Sequence, residues 1–252
     1  MPDYQVIELL CSAQEANIAL AEQLCATNQW KIKTILEKYG YPEIGLSQPK
    51  QFLRPKLEIR SKNIPKLPDL LPEGLVEINF YDNQLTALPA KLPSKLENFY
   101  CQNNQIASFP LAFPDSLKAF NCADNQLVAV PANLPDSLET LNCSKNQLTA
   151  LPEHLPKSLQ TLYCGDNQLE TLPTLPENLD RLDCENNQLK ALPEHFPNTI
   201  TVLNCSNNPD LQFSDLKSTG LKFIMAANCP HFSPDILPEG FVEIEEGTWY
   251  AG

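Results

Sequence analysis

The sequence predicts an α/β repeat solenoid: an array of about ten short parallel strands with an extended convex side, capped by an N-terminal helical pair. Three observations predict it. Asparagine returns at Asn83, Asn104, Asn125, Asn146, Asn167, Asn187 and Asn208, in five steps of 21 residues and one of 20. The residues before each asparagine alternate apolar and polar, as in Leu141-Asn142-Cys143, the pattern of a strand with one buried face. Between strands runs a segment such as Leu88-Pro-Ala-Lys-Leu-Pro93, whose two prolines fix φ, remove donors and oppose a helix.

Each repeat position has a physical task. A lone strand cannot bury its inner face, so successive coils stack, and Cys101, Cys122, Cys143, Cys164, Cys184 and Cys205 fall in one interior column. An asparagine in the turn after the strand offers an amide donor and a carbonyl acceptor to backbone groups that stacking would otherwise leave buried and unpaired. The seven asparagines above therefore form a structural ladder. The double-proline segments run extended and polyproline-like on the convex side.

The unit, L-x-x-L-x-C-x-x-N-Q-L-x-x-L-P-x-x-L-P-x-x, resembles the leucine-rich repeat pattern L-x-x-L-x-L-x-x-N-x-L, with cysteine in the third apolar slot. Its tandem L-P-x-x-L-P is similar to that of the short, proline-rich bacterial subclass found in Yersinia and Shigella type III effectors. The resemblance covers roughly Leu57 to Ile244. It implies a non-enzymatic protein–protein interaction module that binds a protein or peptide on its concave strand face, as a bacterial effector acting in a host cell. A substrate-recruiting adaptor for a separate enzyme such as a ubiquitin ligase, and a bacterial scaffold without a host role, are the alternatives. Shigella and Salmonella relatives carry a C-terminal ubiquitin-ligase domain with a catalytic cysteine. Here some two dozen residues follow Asn228, so the resemblance does not imply ligase activity.

In chain order, residues 1–52 form the helical cap and connector, and residues 53–252 the leucine-rich repeat domain. Ser12-Ala-Gln-Glu15 reads as a capping box, and Ile32, Ile35, Leu36 and Tyr39 mark one face of a second helix that Gly40 ends. Such a pair suits the exposed cross-section of a first coil. Leu57 to Lys62 reads as a degenerate first repeat with Lys62 in the asparagine slot. Phe223-Ile-Met225-Ala-Ala-Asn228 reads as a further repeat, with Met225 in the cysteine column and Asn228 in the asparagine slot. Leu237-Pro-Glu-Gly-Phe-Val-Glu-Ile244 echoes Leu71 to Ile78 and reads as the last coil. That register turns Glu246 into the cysteine column, where an inward charge opposes further pairing.

Composition excludes several functions. A net charge of -13 and a pI near 4.6 disfavour nucleic acid and anionic membrane surfaces. No apolar run approaches the roughly 18 residues of a membrane span. The first thirty residues hold no Lys or Arg but do hold Asp3, Glu8, Glu15 and Glu22, against a Sec signal or mitochondrial presequence. The expected location is cytoplasmic, or a host cell reached by a non-Sec route. Nine cysteines, an odd number with six in one column, read as small core residues kept reduced. No C-x-x-C pair occurs, and His154 and His195 lie apart in L-P-E-H turns, so no metal or cofactor is expected. Asp82, Asp124 and Asp166 share an outward column in alternate coils, about 9.5 Å apart, too far for one calcium ion. A monomer is expected.

Binding residues are sought on the outward strand face, most of which is small and polar. Tyr81, Tyr100 and Gln102 form one patch against that background, and Tyr163, Arg181, Asp183 and Glu185 another. Tyrosine and arginine supply large contact area with polar tips and are enriched at interface hot spots.

Overall fold

The computed structural model describes residues 56–251, apart from 59, 62, 64, 66–70, 72, 73, 110 and 111. The helical pair expected within residues 1–52, and Lys62 in its asparagine slot, lie outside the described residues. Two compact units divide the chain, Met1–Lys118 and Ala119–Gly252, and the expected repeat domain is shared between them.

In the first unit, β1 (Lys56–Glu58), β2 (Glu77–Asn79) and β3 (Asn98–Tyr100) are parallel, and Leu57, Ile78 and Phe99 stand in register. Ile78, Phe80, Phe99 and Cys101 point inward and are fully buried. Phe80 and Phe99 meet edge to face, their centroids 6.3 Å apart.

The second unit continues the pattern with β4 (Ala119–Asn121), β5 (Thr140–Asn142), β6 (Thr161–Tyr163), β7 (Arg181–Asp183), β8 (Val202–Asn204) and β9 (Phe223–Met225). All six are parallel and in register, so Phe120, Leu141, Leu162, Leu182, Leu203 and Ile224 form one inward column. The cysteines form the next column inward. The residue before each ladder asparagine is left-handed, as at Asp124, Lys145, Asp166, Asn186 and Asn207, with φ between 51° and 58°. Asp and Asn tolerate that conformation best, which is why the aspartates recur at this turn.

The return segments are extended and closed by turns. In the double-proline segments before β3 to β8, the N–H of the leucine or isoleucine that leads into the strand donates to the carbonyl of the second proline, as from Leu138 to Pro135 and from Leu159 to Pro156. Hydroxyls form a second ladder here: Ser158 Oγ lies 2.7 Å from the carbonyl oxygens of both Asp136 and Leu138, and Thr199 Oγ1 reaches those of Glu177 and Leu179.

Two expectations at the C-terminal end are corrected. The coil from Leu203 to Ile224 keeps its 21-residue step, since those residues pair, and Met225 stands opposite Asn204. Ala226 thus takes the cysteine column, Asn228 the left-handed turn (φ 56°) and Cys229 the asparagine slot. Matching Asn228 by residue type shortened the step by one, and in a strand one residue turns every side chain to the other face. Secondly, about ten parallel strands become nine among the described residues. After a 3-10 turn at Pro234–Ile236 the chain makes an antiparallel hairpin, β10 (Phe241–Glu245) and β11 (Thr248–Ala251), in the order β9-β11-β10. Glu246 is not an inward plug; it is exposed in the hairpin turn beside Gly247. Gly247 has φ 75°, and a Cβ there would stand 2.5 Å from Ala227 Cα, so the reversal requires glycine. Trp249 pairs with Ile224 and stacks on Phe232, which in turn meets Phe213. This aromatic cluster covers the last coil.

Candidate functional site

The asparagines work as hydrogen-bonding rungs. Asn146 Nδ2 lies 3.1 Å from the carbonyl oxygens of Cys122 and Cys143, and its Oδ1 accepts from Leu127 N at 3.0 Å. Asn167, Asn187 and Asn208 repeat this arrangement in the second unit, as Asn104 does in the first. Asn83 and Asn125 bond the carbonyls of their own coils, Phe80 and Cys122. The last rung changes chemistry: Cys229 Sγ donates to the Cys205 carbonyl oxygen at 3.2 Å, where an asparagine amide would reach.

The described column cysteines are buried. Cys122, Cys143, Cys184 and Cys205 direct Sγ at the strand carbonyl of the next coil, at 3.3 to 3.5 Å. Burial pushes the Cys143 thiol up to about 12, pushes Cys101 and Cys184 higher still, and raises Cys164 well above its ordinary value. Cys205 is raised first by its hydrogen bond with Cys229, then by burial; the same bond lowers Cys229 to about 7. The raised column thiols are protonated core groups rather than nucleophiles, whereas Cys229, lowered, differs from them in kind. His154 and His195 are exposed on the return segments, and among the described residues no cluster of three His, Cys, Asp or Glu could hold a metal. No helix among the described residues is long and apolar enough to cross a membrane.

In the first unit, Tyr81 is 39% exposed and Tyr100 half-buried, both outward. Tyr100 stands opposite Asn79, which places Tyr81 beside Gln102, diagonal to Tyr100. The buried side-chain oxygen of Gln102 has no hydrogen-bond partner among the described residues.

The second unit brings its predicted residues together. Tyr163 stands beside Asp183 across β6 and β7, and Arg181 and Asp183 stand beside Val202 and Asn204 of β8. With Phe223 and Met225 of β9 these side chains line a concavity of about 420 Å³. Asn204 holds the acidic pair in place, its Nδ2 2.9 Å from Glu185 Oε2 and 3.3 Å from Asp183 Oδ2. Gly165 makes room for both, since a Cβ there would come within 3.1 Å of Glu185 Cγ and 3.2 Å of Asp183 Oδ1. Burial raises the Asp183 carboxyl above the ordinary range, and the Glu185 and Asp166 charges add to that against hydrogen bonds from Glu185 N–H and Asn204. Arg181 lies 3.9 Å from Asp180. Val202, Phe223 and Met225 were missed from sequence, the last two because the shortened step turned Phe223 and Met225 inward.

Comparison with known proteins agrees with this architecture. Residues 136–177 match the model of Leucine Rich repeats (2 copies). The leucine-rich repeat domain of a Shigella effector is similar over 76% of this chain and 86% of that one, at 29% identity and TM-score 0.59. YopM, a leucine-rich effector of Yersinia pestis, is similar over 80% of this chain and 76% of its own, at 24% identity and TM-score 0.55. A leucine-rich repeat protein of Leptospira interrogans shares 24% identity at TM-score 0.56, over 75% of this chain and 53% of that one. No curated protein matches the sequence. The chain thus carries a leucine-rich repeat array similar to those of bacterial effectors.

Proposed function

We propose that the second unit is a protein-binding module whose strand face, around Tyr163, Arg181, Asp183 and Glu185, takes a protein or peptide segment. The observation that carries this is the concavity over β6–β9, where apolar Val202, Phe223 and Met225 sit beside a held pair of carboxylates. Convergent apolar and polar groups in a preformed hollow are what a binding site requires. Tyr81, Tyr100 and Gln102 are a separate contact patch in the first unit. The module is non-enzymatic and monomeric, and recruits its partner without chemistry of its own. Likeness to the Shigella effector domain supports action inside a host cell, reached by a non-Sec route.

Selection of displayed peptides on the purified chain tests the reading. Selected ligands are expected to lose about tenfold or more in affinity against Tyr163→Ala and against Phe223→Ser, with the melting temperature little changed. Ligands indifferent to both substitutions would place binding elsewhere.

A further inference from the structure

The outward side chains change character toward the C-terminal end. Along one row, register aligns Ala119, Thr140, Thr161 and Arg181 of β4–β7 with Val202, Phe223, Tyr250 and Val242 of β8, β9, β11 and β10. The first four are small, polar or charged, and the last four are apolar or aromatic. Tyr250 and Val242 are 48% and 54% exposed, although they belong to a paired hairpin. At about 4.8 Å per strand these four side chains make a ridge about 14 Å long, at right angles to the strands.

A partner meeting this ridge finds side chains only, because strand N–H and C=O groups point at neighbouring strands within the sheet. An extended segment laid across it would leave its own backbone groups to water, whereas a helix satisfies them internally. A helix also presents side chains at i, i+4 and i+7, roughly 5–6 Å apart, close to the spacing of the strands. Charge sets the flank: Asp183, Glu185 and Glu245 lie along one side of the row, and Arg181 at its end is 3.9 Å from Asp180. A second copy would bring the same acidic flank and a net charge of -13. Resting on the strand-face reading above, we propose that the ridge takes the apolar face of a basic amphipathic helix of a partner protein. About ten residues of that helix cover the ridge, with lysine or arginine on the flank that meets Asp183, Glu185 and Glu245.

Fluorescence anisotropy with three synthetic peptides of about four helical turns tests this. One is a lysine-flanked amphipathic helix, the second replaces its lysines by glutamates, and the third breaks the lysine helix with a central proline. The lysine helix is expected to bind the intact chain, and the other two about tenfold or more weaker. It should lose about tenfold or more against Val242→Ser with Tyr250→Ser, and again against Glu245→Lys, which leaves the ridge intact. Equal binding of the proline peptide, or binding unchanged by both variants, overturns the proposal. So does sedimentation that shows a dimer dispersed by the Val242→Ser, Tyr250→Ser pair, since the ridge would then join two copies. Should the lysine helix not bind, displayed ligands that still need Tyr163 and Phe223 sink the helix alone, and ligands that need neither sink the strand-face reading as well.

Discussion

The six parallel coils of the second unit and the hairpin that ends it solve the same problem in opposite ways. Each coil meets a near copy of itself, so three strand residues suffice: an inward leucine, an inward cysteine and an asparagine rung are completed by the coil beside them. The hairpin meets no copy. Its strands are five and four residues long, reverse at a glycine, and are held by Trp249 against Ile224 and Phe232. Each coil hides its inward leucine and cysteine almost completely, while the hairpin leaves Val242, Ile244 and Tyr250 about half exposed. Repetition thus secures the core, and the place where it stops is where surface character is free to differ.

Alkaline pH should separate the two regions most strongly. Cys143, Cys164, Cys184 and Cys205 have folded pKa values raised above the ordinary value of about 9, so their stabilisation is whole below pH 9 and is lost as pH rises toward the folded values. Each should remove about 1.4 kcal/mol per pH unit above 9. Cys229 is lowered, so its term has the opposite sign and adds stability between about pH 7 and 9. Urea melts are expected to show a flat or slightly rising stability to pH 9 and a steep fall beyond. A midpoint unchanged to pH 11 would mean that these thiols are not buried as protonated groups.

Next in size is loss of a central rung. Asn146→Leu removes the donor to the Cys122 and Cys143 carbonyls and the acceptor for Leu127 N–H, at about 1 to 3 kcal/mol for each buried group left unpaired. Cys229→Ala, at the terminal rung, should cost less, because a thiol is a weak donor and one coil fewer depends on it. Equal losses for the two in urea would contradict the distinction between a ladder interior and its end.

The smallest effect should be local. Gly247→Ala forces a left-handed alanine at about 1 to 3 kcal/mol and a clash with Ala227. In a Trp30→Phe background, Trp249 emission should shift to the red as the hairpin detaches, while the main urea transition of the coils moves little. A variant whose hairpin and coils melt together, far below the parent, would show that the end cap supports the whole array.

The second ladder is written in the sequence as Pro-x-Ser/Thr-Leu/Ile at Ser116, Ser158 and Thr199, at about twice the interval of the asparagines. A hydroxyl beside a proline turn is ordinarily solvated, so the pattern alone does not reveal a ladder. Only the coil stacked beside it supplies the carbonyls that Ser158 reaches.

By itself the sequence determined the period, the inward columns, the asparagine ladder and the extended return segments. Each of these depends on a residue meeting its own equivalent about 21 positions away, so a local pattern implies its tertiary partner. Tertiary structure decided the rest at the end of the array. Whether Phe223 and Met225 face in or out turned on a single residue of register, and residue type at Asn228 pointed the wrong way. The echo of Leu71 to Ile78 in Leu237 to Ile244 predicted another parallel coil, but β9 pairs with the segment after Gly247 instead. At a terminus no following copy supplies the partner, so strand direction rests on contacts such as Trp249 with Phe232, between residues whose spacing carries no period.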